Sequence, residues 1–89
     1  MKAVRYEGSF SKDIKRIAKR NYKLQKLEAV IDLLRSDSPL PLTYHAHRLK
    51  GGWLGWWECH IASDWLLIYN VRKEEVLLAR TGTHADLFE

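Results

Sequence analysis

The chain has 89 residues, 46% of them hydrophobic and 29% charged, with a net charge of +4. That is enough for one domain with a modest core and no second one, and no apolar run is long enough to cross a bilayer. A positive balance on so small a body favours nucleic acid or another anionic partner. The single cysteine, Cys59, excludes an internal disulfide and fits a reducing cytoplasm. No secretory leader is read at the start, where Met1-Lys2 leads directly into Ala3-Val4-Arg5-Tyr6.

Residues 2–6 read as a short strand ended by Gly8, with Ser9 as a helix N-cap. From Phe10 to about Arg20 the spacing is helical, with Phe10, Ile14 and Ile17 on one side. Lys12, Lys15, Arg16 and Lys19 fall on the other side, interrupted only by Asp13. This stripe is either a solvated face or a phosphate-contacting surface. Asn21 breaks the pattern, and a second helix runs from Tyr22 to Arg35 on Leu24, Leu27, Val30, Ile31 and Leu34. Ser36-Asp37-Ser38-Pro39 stops it. Two helices so closely joined predict an antiparallel hairpin.

Residues 36–52 form the longest connection, stiffened by Pro39 and Pro41 and closed by Lys50-Gly51-Gly52. Three strands follow: Trp53 to His60, Trp65 to Val71, and Glu75 to Thr81. Their short links predict an antiparallel meander, and His84 to Phe88 adds a helical turn. The expected fold is α+β: an N-terminal strand, an antiparallel two-helix hairpin, and a three-strand meander completing a four-stranded sheet. Trp53, Trp56, Trp57 and Trp65 read mainly as core and cross-strand packing.

Strand direction gathers the chemical groups. His60 and Asp64 flank the turn between the second and third strands. The last strand returns to the same end, delivering His84 beside them with Arg80 slightly inside. His47 lies before the second strand and joins them only if its loop folds back along the sheet. Imidazoles suit both proton roles in metal-free RNA cleavage, because their ordinary pKa lies near neutrality. Asp64 can serve as a base or orient an imidazole, and Arg80 offers a planar fork to phosphate oxygens. His45 reads as an ordinary surface or core residue. A zinc site from His45, His47, Cys59, His60 and His84 is disfavoured, because the spacing matches no ligand framework. No cofactor is expected.

The residues also resemble a known family. His47-Arg48-Leu49-Lys50-Gly51-Gly52-Trp53, Glu58-Cys59-His60, Asp64-Trp65-Leu66-Leu67-Ile68-Tyr69 and Arg80-Thr81-Gly82-Thr83-His84-Ala85-Asp86-Leu87-Phe88 resemble the YafQ branch of the RelE/ParE toxins of bacterial toxin–antitoxin pairs. Phe10-Ser11-Lys12-Asp13-Ile14-Lys15 fits as well, and the likeness spans essentially the whole chain. The resemblance implies the fold just described and a cytoplasmic, ribosome-dependent mRNA endoribonuclease acting by 2′-hydroxyl attack without metal. It implies catalytic roles for His47, His60, Asp64 and His84, and substrate contacts from Lys50, Trp65, Arg80 and Phe88. A cognate antitoxin, the ribosome and mRNA are the implied partners; the basic stripe of Lys12, Lys15, Arg16 and Lys19 is expected to dock on ribosomal RNA, and no membrane is expected. Tyr44, Trp56 and Trp57 are additional aromatics where relatives vary, so the cut-site preference does not carry over. Two rivals share the fold: a ParE-like inhibitor of DNA gyrase, and a non-catalytic RNA-binding module.

Overall fold

The computed structural model describes residues 1–88. The order is β1 (Ala3–Tyr6), α1 (Phe10–Lys19), α2 (Leu24–Arg35), β2 (His47–Arg48), β3 (Trp57–Ala62), β4 (Trp65–Val71), β5 (Glu75–Gly82) and α3 (His84–Phe88). The strands form one five-stranded sheet in the order β1-β5-β4-β3-β2. The β3-β4-β5 meander is antiparallel as expected. Two corrections apply to the four-stranded expectation. β1 runs parallel to β5, with Val4 opposite Val76 and Tyr6 opposite Leu78. His47–Arg48 adds a fifth strand, antiparallel to β3.

Each element has a local cause. Ser9 occupies the N-cap of α1 without a side-chain cap bond, so the cap expected of it is not made. α1 ends where Asn21 takes a left-handed φ of 62°, a conformation asparagine tolerates better than most residues. β3 begins at Trp57, later than expected. Gly51–Trp53 form a 3₁₀ turn instead, and Gly55 follows at φ 95°, which breaks any strand there. β4 occupies the dense apolar run, and its residues Trp65 through Tyr69 are all buried.

The sheet buries both faces. Cys59, Ile61, Leu67, Tyr69, Val76 and Leu78 pack with Phe10, Ile17, Leu27, Val30 and Leu34 of α1 and α2. On the other face, Leu66, Ile68 and Ala79 are covered by Leu87 of α3 and by Leu49, Trp53 and Trp56 of the long connection. Trp53, Trp56 and Trp65 are therefore packing residues, the core role expected for most of the tryptophans.

Asp13 departs from the sequence reading. It does not interrupt a surface stripe; its side chain is 0% exposed. Its carboxylate accepts Arg80 Nε at 2.7 Å and Nη2 at 3.1 Å, Arg16 Nη1 at 3.1 Å, and the backbone N–H of Thr81 at 3.1 Å. A buried carboxylate needs such company to offset its lost hydration. The contacts dock α1 on the end of β5 that β1 leaves unpaired. Asp13→Ala should strand the Arg80 guanidinium and the Thr81 N–H, lowering stability by about 3–5 kcal/mol. Urea unfolding followed by tryptophan fluorescence checks this, and a loss below about 1 kcal/mol would contradict the role.

Candidate active site

Alternation along β3 divides its side chains between the two faces. Cys59 and Ile61 enter the helix-covered core, whereas Glu58 and His60 take the opposite face. His47 pairs directly across from Glu58, so the fold-back that His47 needed takes place through β2. His47 Nε2 lies 3.4 Å from Glu58 Oε1, and His60 Nε2 lies 3.9 Å from the same oxygen. One nearly buried carboxylate thus stands between two rings, and His47 Nδ1 is also 3.0 Å from the His45 carbonyl.

The turn between β3 and β4 presents Asp64, and the end of β5 presents His84. Asp64 Oδ1 accepts the His84 backbone N–H at 3.0 Å, and His84 Nδ1 lies 2.9 Å from that oxygen. These bonds hold the Asp64 carboxyl below its ordinary value, the backbone bond contributing most. An ionised Asp64 only accepts, so a neutral imidazole carries its proton on Nδ1 and keeps the lone pair on Nε2, on a side chain 57% exposed. Ring centroids run 5.6 Å from His45 to His60, 6.1 Å from His60 to His84, and 6.2 Å from His84 to Phe88. His45, His60, His84 and Phe88 thus form a connected series, which His47 joins through Glu58. Beside it Thr43, Tyr44, His45, His47 and His60 line an open cleft of about 680 Å³.

α3 is started by a reciprocal pair: Asp86 Oδ2 accepts the Thr83 N–H at 3.0 Å and Thr83 Oγ1 accepts the Asp86 N–H at 3.1 Å. Gly82 makes room for this. A Cβ there would stand 2.8 Å from Asp86 Oδ2, and its φ is 149°.

Several expected roles change. Trp65 is 4% exposed; its ring packs edge-on against Tyr22 and its indole N–H donates to Thr81 Oγ1 at 2.9 Å. It supports the sheet and offers no stacking surface. Arg80 is not an open phosphate fork, because Nε and Nη2 are taken by Asp13 and Nη2 also reaches the Asp86 carbonyl at 3.4 Å. Arg16 leans on Asp13 and lies 3.9 Å from Asp86, leaving Lys12, Lys15 and Lys19 as the exposed members of the α1 stripe. Lys50 is exposed at the start of the 3₁₀ turn, outside the residues that line the histidine cleft. The disfavoured zinc set is split: Cys59 is buried on the opposite face, its thiol pushed up to about 12, chiefly by burial. Among the described residues no cluster of metal-binding side chains forms, and no helix is long and apolar enough to cross a membrane.

One neighbour of the histidines has no place in the sequence reading. Glu58 was legible as the partner two positions from His60 on one strand face. His45 is exposed, as expected of a surface residue, but nothing in its sequence context announces the left-handed φ of 50° or the 5.6 Å approach of its ring to His60.

The family comparison is now decisive. A family model described as "Bacterial toxin of type II toxin-antitoxin system, YafQ" matches residues 2–89. The chain belongs to the YafQ family. The mRNA interferase toxin YafQ of Escherichia coli K12 is 41% identical over 86 residues, covering 96% of this chain and 94% of its own. The crystal structure of YafQ from E. coli BL21(DE3) superposes with a TM-score of 0.93 at 38% identity, covering 100% of both chains. The E. coli DinJ–YafQ complex gives 0.89 at 39% identity, again covering 100% of both. In this YafQ-family chain one sheet face thus carries Glu58 between His47 and His60, and the β3–β4 turn carries Asp64 beside His84.

The Asp64 geometry has a pH consequence. A carboxyl lowered by native bonds adds stability above its unfolded value and loses it as pH falls through the lowered value. A ¹³C titration should place the Asp64 midpoint below 3.8. In His84→Ala the backbone bond survives and the ring bond is lost, so the midpoint should move part of the way back. A midpoint at or above 3.8 in the intact protein would contradict the arrangement.

Proposed function

We propose that the chain is a toxin that cuts mRNA on the ribosome, without a metal, and is neutralised in the cytoplasm by a cognate antitoxin. The observation that carries this reading is the His84–Asp64 contact of 2.9 Å set 6.1 Å, ring to ring, from His60 on an open surface. Two imidazoles so spaced can flank one phosphodiester. One nitrogen takes the proton of a ribose 2′-hydroxyl while that oxygen bonds to the adjacent phosphorus. The bond from phosphorus to the 5′-oxygen breaks, and a protonated imidazole delivers its proton there. The products are a 2′,3′-cyclic phosphate and a free 5′-hydroxyl. His84 works through Nε2, since Nδ1 is committed to Asp64, which orients the ring and is not the base.

His60 is the second proton-transfer group, and His47 holds substrate or passes protons through Glu58, the carboxylate the two rings share. Phe88, 45% exposed, stacks against a base. Arg80 adds charge near the phosphate through Nη1, the guanidinium nitrogen outside its recorded bonds. Lys50 serves the message backbone farther out. The name of the E. coli relative, an mRNA interferase toxin, supports the substrate class, and the DinJ–YafQ complex supports an antitoxin partner.

Primer extension on mRNA from expressing cells tests this. Discrete cuts that require translation should appear, and His84→Ala should weaken them by about 10²- to 10⁴-fold. Intact mRNA with inhibited DNA supercoiling would replace the reading with a gyrase-directed toxin. The α1 face gives a second check. Replacing Lys12, Lys15 and Lys19 with Gln should weaken ribosome association and reduce its log–log salt slope by roughly two to three. An unchanged slope would leave these lysines as a solubilising face.

A further inference from the structure

We infer that the Arg20–Asp86 ion pair is a positioning clamp that holds His84, and Phe88 next to it, beside His60. The inference rests on the nuclease reading for its kinetic consequence, but its structural content stands apart from it. α3 has five residues, with His84 first and Phe88 last, and a helix so short does not persist by itself. Only Leu87 is buried, at 8% exposure. The remaining anchors are polar. Arg20 Nη1 donates to Asp86 Oδ2 at 2.7 Å and Nη2 to Oδ1 at 3.1 Å, a bidentate arrangement. Oδ2 also accepts the Thr83 N–H, so one carboxylate starts the helix and fastens it to the end of α1. Arg16 stands 3.9 Å from Oδ1, and Arg80 Nη2 reaches the Asp86 carbonyl. The Arg20 pair keeps the Asp86 carboxyl well below the usual range, despite its partial burial.

The geometry couples this clamp to the chemistry. Asp86 lies two residues after His84 and two before Phe88, and Gly82 leaves no room for a Cβ beneath its carboxylate. If the clamp opens, α3 keeps Leu87, the Arg80 bond to the Asp86 carbonyl and the exposed Asp64–His84 contact, the last in water where such pairs are weak. The His84 ring then loses its fixed distance to His60. Arg20 and Asp86 touch no reacting atom; they act through His84, at a site where small displacements are costly.

The test uses the full chain in Arg20→Gln, Arg20→Lys, Asp86→Asn and His84→Ala forms, assayed on message-programmed ribosomes and by amide hydrogen exchange. Arg20→Gln and Asp86→Asn should each lower kcat about tenfold or more with KM little changed. Both should speed exchange of the His84 N–H, the amide bonded to Asp64, while core amides of β4 stay protected. Arg20→Lys should recover part of both losses. The sign of Asp86→Asn separates positioning from charge: it makes the protein more cationic and keeps an oxygen acceptor for Thr83. If Arg20 were simply an RNA contact, Asp86→Asn would preserve or raise activity while Arg20→Gln raised KM, and that pattern overturns the clamp. Unchanged kcat and unchanged His84 exchange in both variants overturns it as well. Undiminished cutting by His84→Ala refutes the nuclease assignment, and the exchange data then decide the clamp separately.

Discussion

The fold turns on one buried carboxylate. β1 covers β5 only as far as Leu78, and beyond that point the strand has an open edge whose Thr81 N–H needs an acceptor. Asp13 provides it from α1, and the charge this buries is answered by Arg80 two-pronged from β5. Neither group would be tolerated there alone. Together they fix where α1 lies against the final residues of the sheet, and so where Gly82, Thr83 and His84 leave it. The placement of a surface imidazole is in this way set by an ion pair whose carboxylate has no access to the surface.

The site lies where the second layer of the molecule runs out. One sheet face is fully covered by two helices, whereas the other has only an irregular segment with two tryptophans and the short α3. Polar side chains on that face are affordable only near its open end. Glu58 illustrates the boundary: it is 4% exposed, yet it abuts two histidines, and His60 keeps 26% of its side chain accessible. Asp64, at 60% exposure, sits wholly outside. Two carboxylates in such unlike settings, each beside imidazole, give neighbouring rings different partners.

Much of this could be read from periodicity and connectivity. The β4 apolar run and the α2 leucine spacing announced themselves, and the meander alone brought His60, Asp64 and His84 to one end. What escaped was non-local or too short. β2 has two residues and no pattern to detect, and the β1–β5 pairing joins the first strand to the last across both helices. Arg80 looked free because its partner is 67 positions away. Asp13 was the avoidable miss. It stands three residues after Phe10 and four before Ile17, on the apolar side of α1, and an acid in that position implies a buried cation. The charge stripe drew attention to the wrong face.

The catalytic candidates rest on supports of unequal strength. His47 and His60 belong to the β2–β3 ladder, whose backbone bonds and neighbours tie them to the core. His84 stands at the head of a five-residue helix with one buried side chain, anchored otherwise by charge. Local opening free energy follows buried contacts, so α3 is the element able to lift while the sheet stays intact. A site divided in this way has a fixed half and a movable half. On the proposed clamp that geometry is complete only when Asp64 holds His84 and Arg20 holds the largely buried Asp86, so two carboxylates that orient rather than react would set the conditions for bringing the imidazoles together.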